Sequence, residues 1–178
     1  SVNVFADELA NEAESDPYEF RMKMLGSDRV YPSDNEYTLD TAKMKNVLSK
    51  VAENSSWGTD LPQGHGRGIA IHYSFYSSVA SVVEVSVLDG KLKVHKIFTV
   101  ADCGTVVNQN TVRAQLEGAA VFGLSLALFG NITARDGRIV QGNYHDYEML
   151  RIHQTPEIQI EVVKSEDLPT GIGEPGVP

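Results

Sequence analysis

Val79-Ala80-Ser81-Val82-Val83-Glu84-Val85-Ser86-Val87-Leu88-Asp89-Gly90-Lys91-Leu92-Lys93-Val94-His95-Lys96-Ile97-Phe98-Thr99-Val100 is the stretch from which the fold is read. It holds two β-rich runs, Val79 to Leu88 and Leu92 to Val100, on either side of an Asp-Gly pair. The tightest hairpin turns need positive φ at both central residues, which Asp-Gly supplies. The stretch therefore predicts an antiparallel hairpin. Upstream, Gly64, Gly66 and Gly68 lead into a further β-rich segment, Ile69 to Tyr73. Downstream, Asn110 to Phe129 reads as the best helix of the chain, Asp136-Gly137 marks another hairpin, and Glu157 to Lys164 fits a last strand.

The first 58 residues have a different texture. Val4, Phe5, Leu9, Ala10 and Ala13 recur at helical spacing, and Asp16-Pro17-Tyr18-Glu19 has the form of a capping box, with Gly26 as the stop. A third helix is expected from Thr41 to Glu53, capped by Asp40, with Met44, Val47, Leu48 and Val51 as its apolar stripe. Asn54-Ser55-Ser56-Trp57-Gly58 ends it. The class is α+β: a helical arm over 1–58 packed on a body over 59–178, with a mixed sheet, hairpins and one long glycine-containing helix.

The chain has 178 residues, 42% of them hydrophobic, enough for one sizeable core. A net charge of -9 and an isoelectric point near 4.9 argue against nucleic-acid and anionic-membrane partners, which select clustered Lys and Arg. No run is read as apolar enough to span a bilayer, and no basic-then-apolar leader is seen. Cys103 is the single cysteine, which excludes an intrachain disulfide and an all-cysteine iron–sulfur or zinc site. The five histidines lack metalloprotease or zinc-finger spacing, so no protein-ligated metal is assigned. Nucleophile-elbow and P-loop patterns are missing as well.

Three places invite a chemical reading. Gly171-Ile172-Gly173-Glu174-Pro175-Gly176-Val177-Pro178 sets one carboxylate between glycines and a proline, where neither helix nor strand continues. A solvated turn is the plainer explanation of such a segment. Gln115 lies in a helix whose Gly118 and Gly123 each cost roughly 1 kcal/mol relative to alanine, so another element is expected to approach both glycines closely. Asp102-Cys103-Gly104, followed by Asn108-Gln109-Asn110, forms a polar strand-to-helix junction that turn and cap chemistry would also explain.

Taken in order, Asp102-Cys103-Gly104, Asn108, Val112-Arg113-Ala114-Gln115-Leu116-Glu117-Gly118 and Gly173-Glu174-Pro175 resemble the molybdopterin-binding large subunits of the xanthine dehydrogenase and aldehyde oxidase family. Asp16 to Arg21, His145-Asp146-Tyr147 and Gly171 to Pro178 look most like the isoquinoline 1-oxidoreductase beta-subunit branch. The resemblance implies a molybdenum hydroxylase that uses water to hydroxylate an N-heteroaromatic ring or an aldehyde. It makes Glu174 the base that takes a proton from an oxygen on molybdenum, Gln115 a contact to the pterin, and Gly173 the residue that lets the loop come close to the metal. It also implies electron exit through an iron–sulfur small subunit, in the cytoplasm or periplasm. Full-length relatives continue into a further helix and contain a long preceding region, so the chain reads as a fragment. Alone, it is expected to be inactive and without stoichiometric cofactor, with a mobile Glu174 loop. A non-catalytic interaction domain or a small-ligand module of the same fold is the alternative.

Overall fold

The computed structural model describes residues 2–32 and 36–178. In chain order the elements are α1 (Val2–Glu12), α2 (Pro17–Leu25), β1 (Val30–Tyr31), β2 (Leu39–Asp40), α3 (Thr41–Asn54), β3 (His65–Ser74), β4 (Ser77–Leu88), β5 (Lys91–Asp102), α4 (Gln109–Phe129), β6 (Ala134–Arg135), β7 (Arg138–Ile139) and β8 (Glu157–Val162). A 3₁₀ turn over Ile152–Gln154 precedes β8. The class is α+β, as expected from the sequence.

The predicted hairpin is the centre of the sheet. β4 pairs antiparallel with β5 from Ser78↔Asp102 to Leu88↔Lys91, and Asp89 and Gly90 both hold positive φ. The register jumps from Glu84↔Lys96 to Val85↔Val94, leaving His95 as the extra residue of a bulge. β3 pairs antiparallel with β4, β8 pairs parallel with β5, and the strand order is β3-β4-β5-β8. A parallel pair needs a long crossover, and the segment containing α4 supplies it. Asp136-Gly137 makes the second predicted hairpin, between β6 and β7.

Each face of the sheet has its own core. On one, Ile69, Ala80, Val82, Phe98 and Val100 meet Val47, Leu48 and Val51 of α3, with Tyr18 and Met22 of α2 at the margin. Leu48, Val47, Val51, Val82 and Val100 are fully buried, and each such side chain contributes about 1.5–3 kcal/mol. On the other face, Val79, Ala101 and Ile160 pack against Leu116 of α4. Lys50 and Asn54 of α3 both bond Glu161 of β8, at 2.8 Å each, tying the helical layer to the parallel edge. The bonds from Asn54 and Lys50 hold the Glu161 carboxyl below its usual range. At the opposite edge the Asn3 amide donates to the Ile71 carbonyl and accepts from the Ile71 N–H, so part of an exposed strand edge is covered by a side chain.

Three local expectations need correction. Asp16 caps α2 by accepting from the Tyr18 and Glu19 amides, but no bond from the Glu19 side chain returns to Asp16 among the described residues. The Asp16 carboxylate instead takes the Trp57 indole N–H at 3.0 and 3.1 Å. Gly123 is closely approached, whereas a Cβ on Gly118 would meet no atom within 4 Å. Finally, α4 is long and apolar enough, by length and composition alone, to cross a membrane, which was expected of no segment. Only 22% of its apolar window is buried, on a stripe carrying Leu116, Ala119, Ala120 and Ser125.

Candidate cofactor and base site

The segment from Ser165 to Pro178 is strapped across the end of the sheet before it reaches α4. Thr105 donates to the Asp167 carbonyl through its N–H at 2.9 Å and its hydroxyl at 2.7 Å. Lys43 of α3 pairs with the Asp167 carboxylate at 2.6 Å, and the Ser165 hydroxyl donates to the same carboxylate. These bonds, Lys43 first, hold the Asp167 carboxyl below its usual range. The Thr170 N–H donates to the Cys103 carbonyl at 2.9 Å and the Gly171 N–H to the Phe75 carbonyl at 3.1 Å.

The Asp102-Cys103-Gly104 junction is what receives this strap. Asp102 and Cys103 are buried, and the Asp102 carboxylate accepts from the Gly104 N–H at 3.2 Å. Gly104 has φ +70, and a Cβ there would lie 2.0 Å from the Leu168 carbonyl oxygen. A side chain would occupy the strap's place. Of the two asparagines at this junction, Asn108 and Asn110, it is Asn108 that caps α4, through the Thr111 N–H. Turn and cap chemistry therefore accounts for the junction, and its consequence is the course of the strap.

Beyond Gly171 the chain lies along α4. Ile172 joins the core under Leu116, and Pro175 is fully buried. A Cβ on Gly176 would meet Ala119 at 3.0 Å, and one on Gly123 would meet the Val177 carbonyl oxygen at 2.5 Å. The Val177 N–H closes a turn onto the Glu174 carbonyl at 2.9 Å. The loop expected to be mobile is thus seated, because small residues at 119, 123 and 176 let backbone meet helix. Only its tip projects. Gly173 and Glu174 are exposed, and the Glu174 carboxylate makes no hydrogen bond or ion pair among the described residues.

Gln115 is exposed on α4, immediately before the Leu116 that receives the loop. Gly118 follows it by one turn with open space above. The fold therefore sets Gln115 beside the stripe on which the Glu174 loop rests, although no hydrogen bond joins the two side chains among the described residues. Their chemistry suits a polar heterocyclic cofactor: a free amide with donors and acceptors, a free carboxylate, and two glycines whose missing side chains leave room. No three His, Cys, Asp or Glu side chains converge to hold a metal ion among the described residues. A metal at this surface would have to arrive with other ligands.

Two cavities flank the strap. An apolar cleft of about 420 Å³, lined among others by Ile71, Val79, Val83, Leu124 and Pro175, opens between the sheet, α4 and the back of the terminal loop, and Glu174 does not line it. A polar one of about 330 Å³ is lined by Lys43, Tyr73, Tyr76, Asp102, Asp167 and Thr170. His145-Asp146-Tyr147 lies on an exposed loop, where Asp146 accepts from the Gly142 and Asn143 amides. The Ser77 hydroxyl, 2.7 Å from both Thr170 Oγ1 and the Gly171 carbonyl oxygen, adds to the strap, and neither a serine in a strand nor a threonine before a glycine has a distinguishing spacing in the sequence.

The sheet thus carries on one face a helix, α4, against which the Glu174 loop packs and on which Gln115 stands exposed. The chain belongs to the molybdopterin cofactor-binding domain family, whose model matches residues 6–156. It is 33% identical to the membrane-bound aldehyde dehydrogenase [pyrroloquinoline-quinone] of Gluconacetobacter polyoxogenes, over 98% of this chain and 24% of that protein. With isoquinoline 1-oxidoreductase subunit beta of Brevundimonas diminuta the identity is 30%, over 96% and 21%. The chain thus spans about a quarter or less of the length of these two relatives. Among solved structures, quinoline 2-oxidoreductase from Pseudomonas putida 86 shares the fold over 57% of this chain and 14% of that one, with a TM-score of 0.50 and 24% identity. The matched residues of the family model include Gln115 and stop before Glu174.

Proposed function

We propose that the complete protein is the large subunit of a molybdenum hydroxylase, in which Glu174 is the base and Gln115 and Gly173 contact the cofactor. The observation that carries this reading is a carboxylate with no partner among the described residues, at the tip of a loop whose two flanks are anchored. An exposed turn with no function would need neither the buried Pro175 nor the strap bonds at Thr170 and Gly171.

In this reading the cofactor supplies the two-electron redox chemistry. The protein's own part is to bind, orient and move a proton. The Gln115 amide would hold the pterin edge through its donor and acceptor. Gly173, with no side chain and open space around it, would let the loop approach the metal. The Glu174 carboxylate can accept the proton of the attacking water-derived oxygen, the part of a general base. The net change replaces a C–H bond of the substrate by C–OH. Water gives the oxygen, and two electrons leave for an iron–sulfur small subunit. The substrate class is an N-heteroaromatic ring or an aldehyde, electron-poor at the carbon attacked. By itself this chain would be inactive, since the other walls of the site belong to the rest of the subunit.

Turnover of the complete protein in ¹⁸O-labelled water tests the reaction class. The product is expected to carry ¹⁸O from water and none from labelled oxygen gas. Label arriving from the gas would reject the hydroxylase reading.

A further inference from the structure

We infer that Ser77 is a positioning residue for the Glu174 loop, an inference that rests on the reading of Glu174 as the base. Ser77 opens β4 and is fully buried. Its Oγ lies 2.7 Å from the Gly171 carbonyl oxygen and 2.7 Å from Thr170 Oγ1. A carbonyl only accepts, so the single Ser77 proton goes to Gly171 and the Thr170 hydroxyl donates to Ser77. The result is a directed chain from Thr170 through Ser77 to Gly171, three residues before Glu174.

The turn that presents Ser77 supports the assignment. Phe75 and Tyr76, between β3 and β4, have φ of 49 and 64. Positive φ is uncommon for bulky residues, and the glycine or asparagine usual in such a turn is absent. Strained backbone of this kind gathers where a function holds it. Here the Phe75 carbonyl accepts from the Gly171 N–H, and a Cβ on Gly171 would meet the Phe75 Cβ at 2.8 Å. Gly171 is therefore gripped on both its polar groups, by Phe75 at the N–H and Ser77 at the carbonyl. The clamp fixes where the loop leaves the sheet, and Pro175 fixes where it lands on α4. Glu174 is held between the two.

The test uses the complete, cofactor-loaded subunit. Ser77→Ala breaks the chain at its centre, and a misplacement of the base by about 1 Å can cost roughly 10²-fold in rate. A fall in kcat of about 10- to 100-fold is expected, with KM and molybdenum content unchanged. Ser81→Ala is the matched control: its Oγ pairs with Thr99 Oγ1 at 3.0 Å further along β4 and makes no hydrogen bond to the loop among the described residues, so kcat should hold. The discriminating readout is the double variant. If Ser77 acts through Glu174, Ser77→Ala has little further effect on kcat in a Glu174→Gln background. If Ser77→Ala prevents folding or loading, Thr170→Val removes the donor from the other end, and a smaller loss with the same non-additivity is expected. The inference is overturned if Ser77→Ala, or Thr170→Val in its place, lowers kcat no more than Ser81→Ala does. Equal losses in both backgrounds would also overturn it. An inert Glu174→Gln would instead remove the reading of Glu174 on which it rests.

Discussion

Glu174→Gln in the complete, loaded subunit is expected to lower kcat by about 10²- to 10⁴-fold, the usual contribution of a positioned base. The amide keeps the size of the side chain and loses the capacity to take a proton. The substitution should leave the fold intact, because the carboxylate has no partner to lose among the described residues. Pro175 and the Val177-to-Glu174 backbone turn, which seat the loop, are unaffected. Steady-state turnover with an artificial electron acceptor, normalised to molybdenum, measures the effect. Near-normal turnover at full loading would take the base role from Glu174, and loss of molybdenum would show a loading role in its place.

The second large effect concerns the strap. Gly104→Ala is expected to destabilise the chain by roughly 2–5 kcal/mol, summing about 1–2 for a side chain at positive φ and about 1–3 for overpacking. The new Cβ would sit 2.0 Å from the Leu168 carbonyl oxygen. Both atoms are fixed to backbone, so relief requires the strap to move. Gly90→Ala provides the comparison, since Gly90 has φ +72 but no atom within 4 Å of a Cβ, and should show only the conformational part. Denaturant titration gives the two stabilities, and amide exchange at Thr105 and Thr170 reports whether the strap has lifted. Equal losses for the two variants, with both amides still protected, would mean that the close approach does not bind the strap.

What the sequence disclosed and what it hid follow from the range of the interactions involved. Asp89-Gly90 and Asp136-Gly137 were legible because their turns need residues that tolerate positive φ. Asp40 and Asp16 were legible as caps for a similarly local reason. The turn at Phe75-Tyr76 was not, since aromatic residues there contradict the local preference and Phe75 is held by contacts to Gly171, nearly a hundred residues on. The clamp of Ser77 on Gly171 and the pairing of Lys43 with Asp167 are likewise long-range, and no spacing announces them. Gly118 and Gly123 look alike in sequence, yet one faces open space and the other the Val177 carbonyl. Among the three proposed site residues, Glu174 stood out by its setting between glycines and proline. The roles proposed for Gln115 and Gly173 come from the resemblance.

Cofactor analysis of the purified complete subunit bears most directly on the central claim. One relative is named for pyrroloquinoline quinone, while the family model names molybdopterin. Metal analysis and identification of the released organic cofactor tell the two apart. The expected result is one molybdenum and one pterin per large subunit, with no quinone. A stoichiometric quinone without molybdenum would contradict the account.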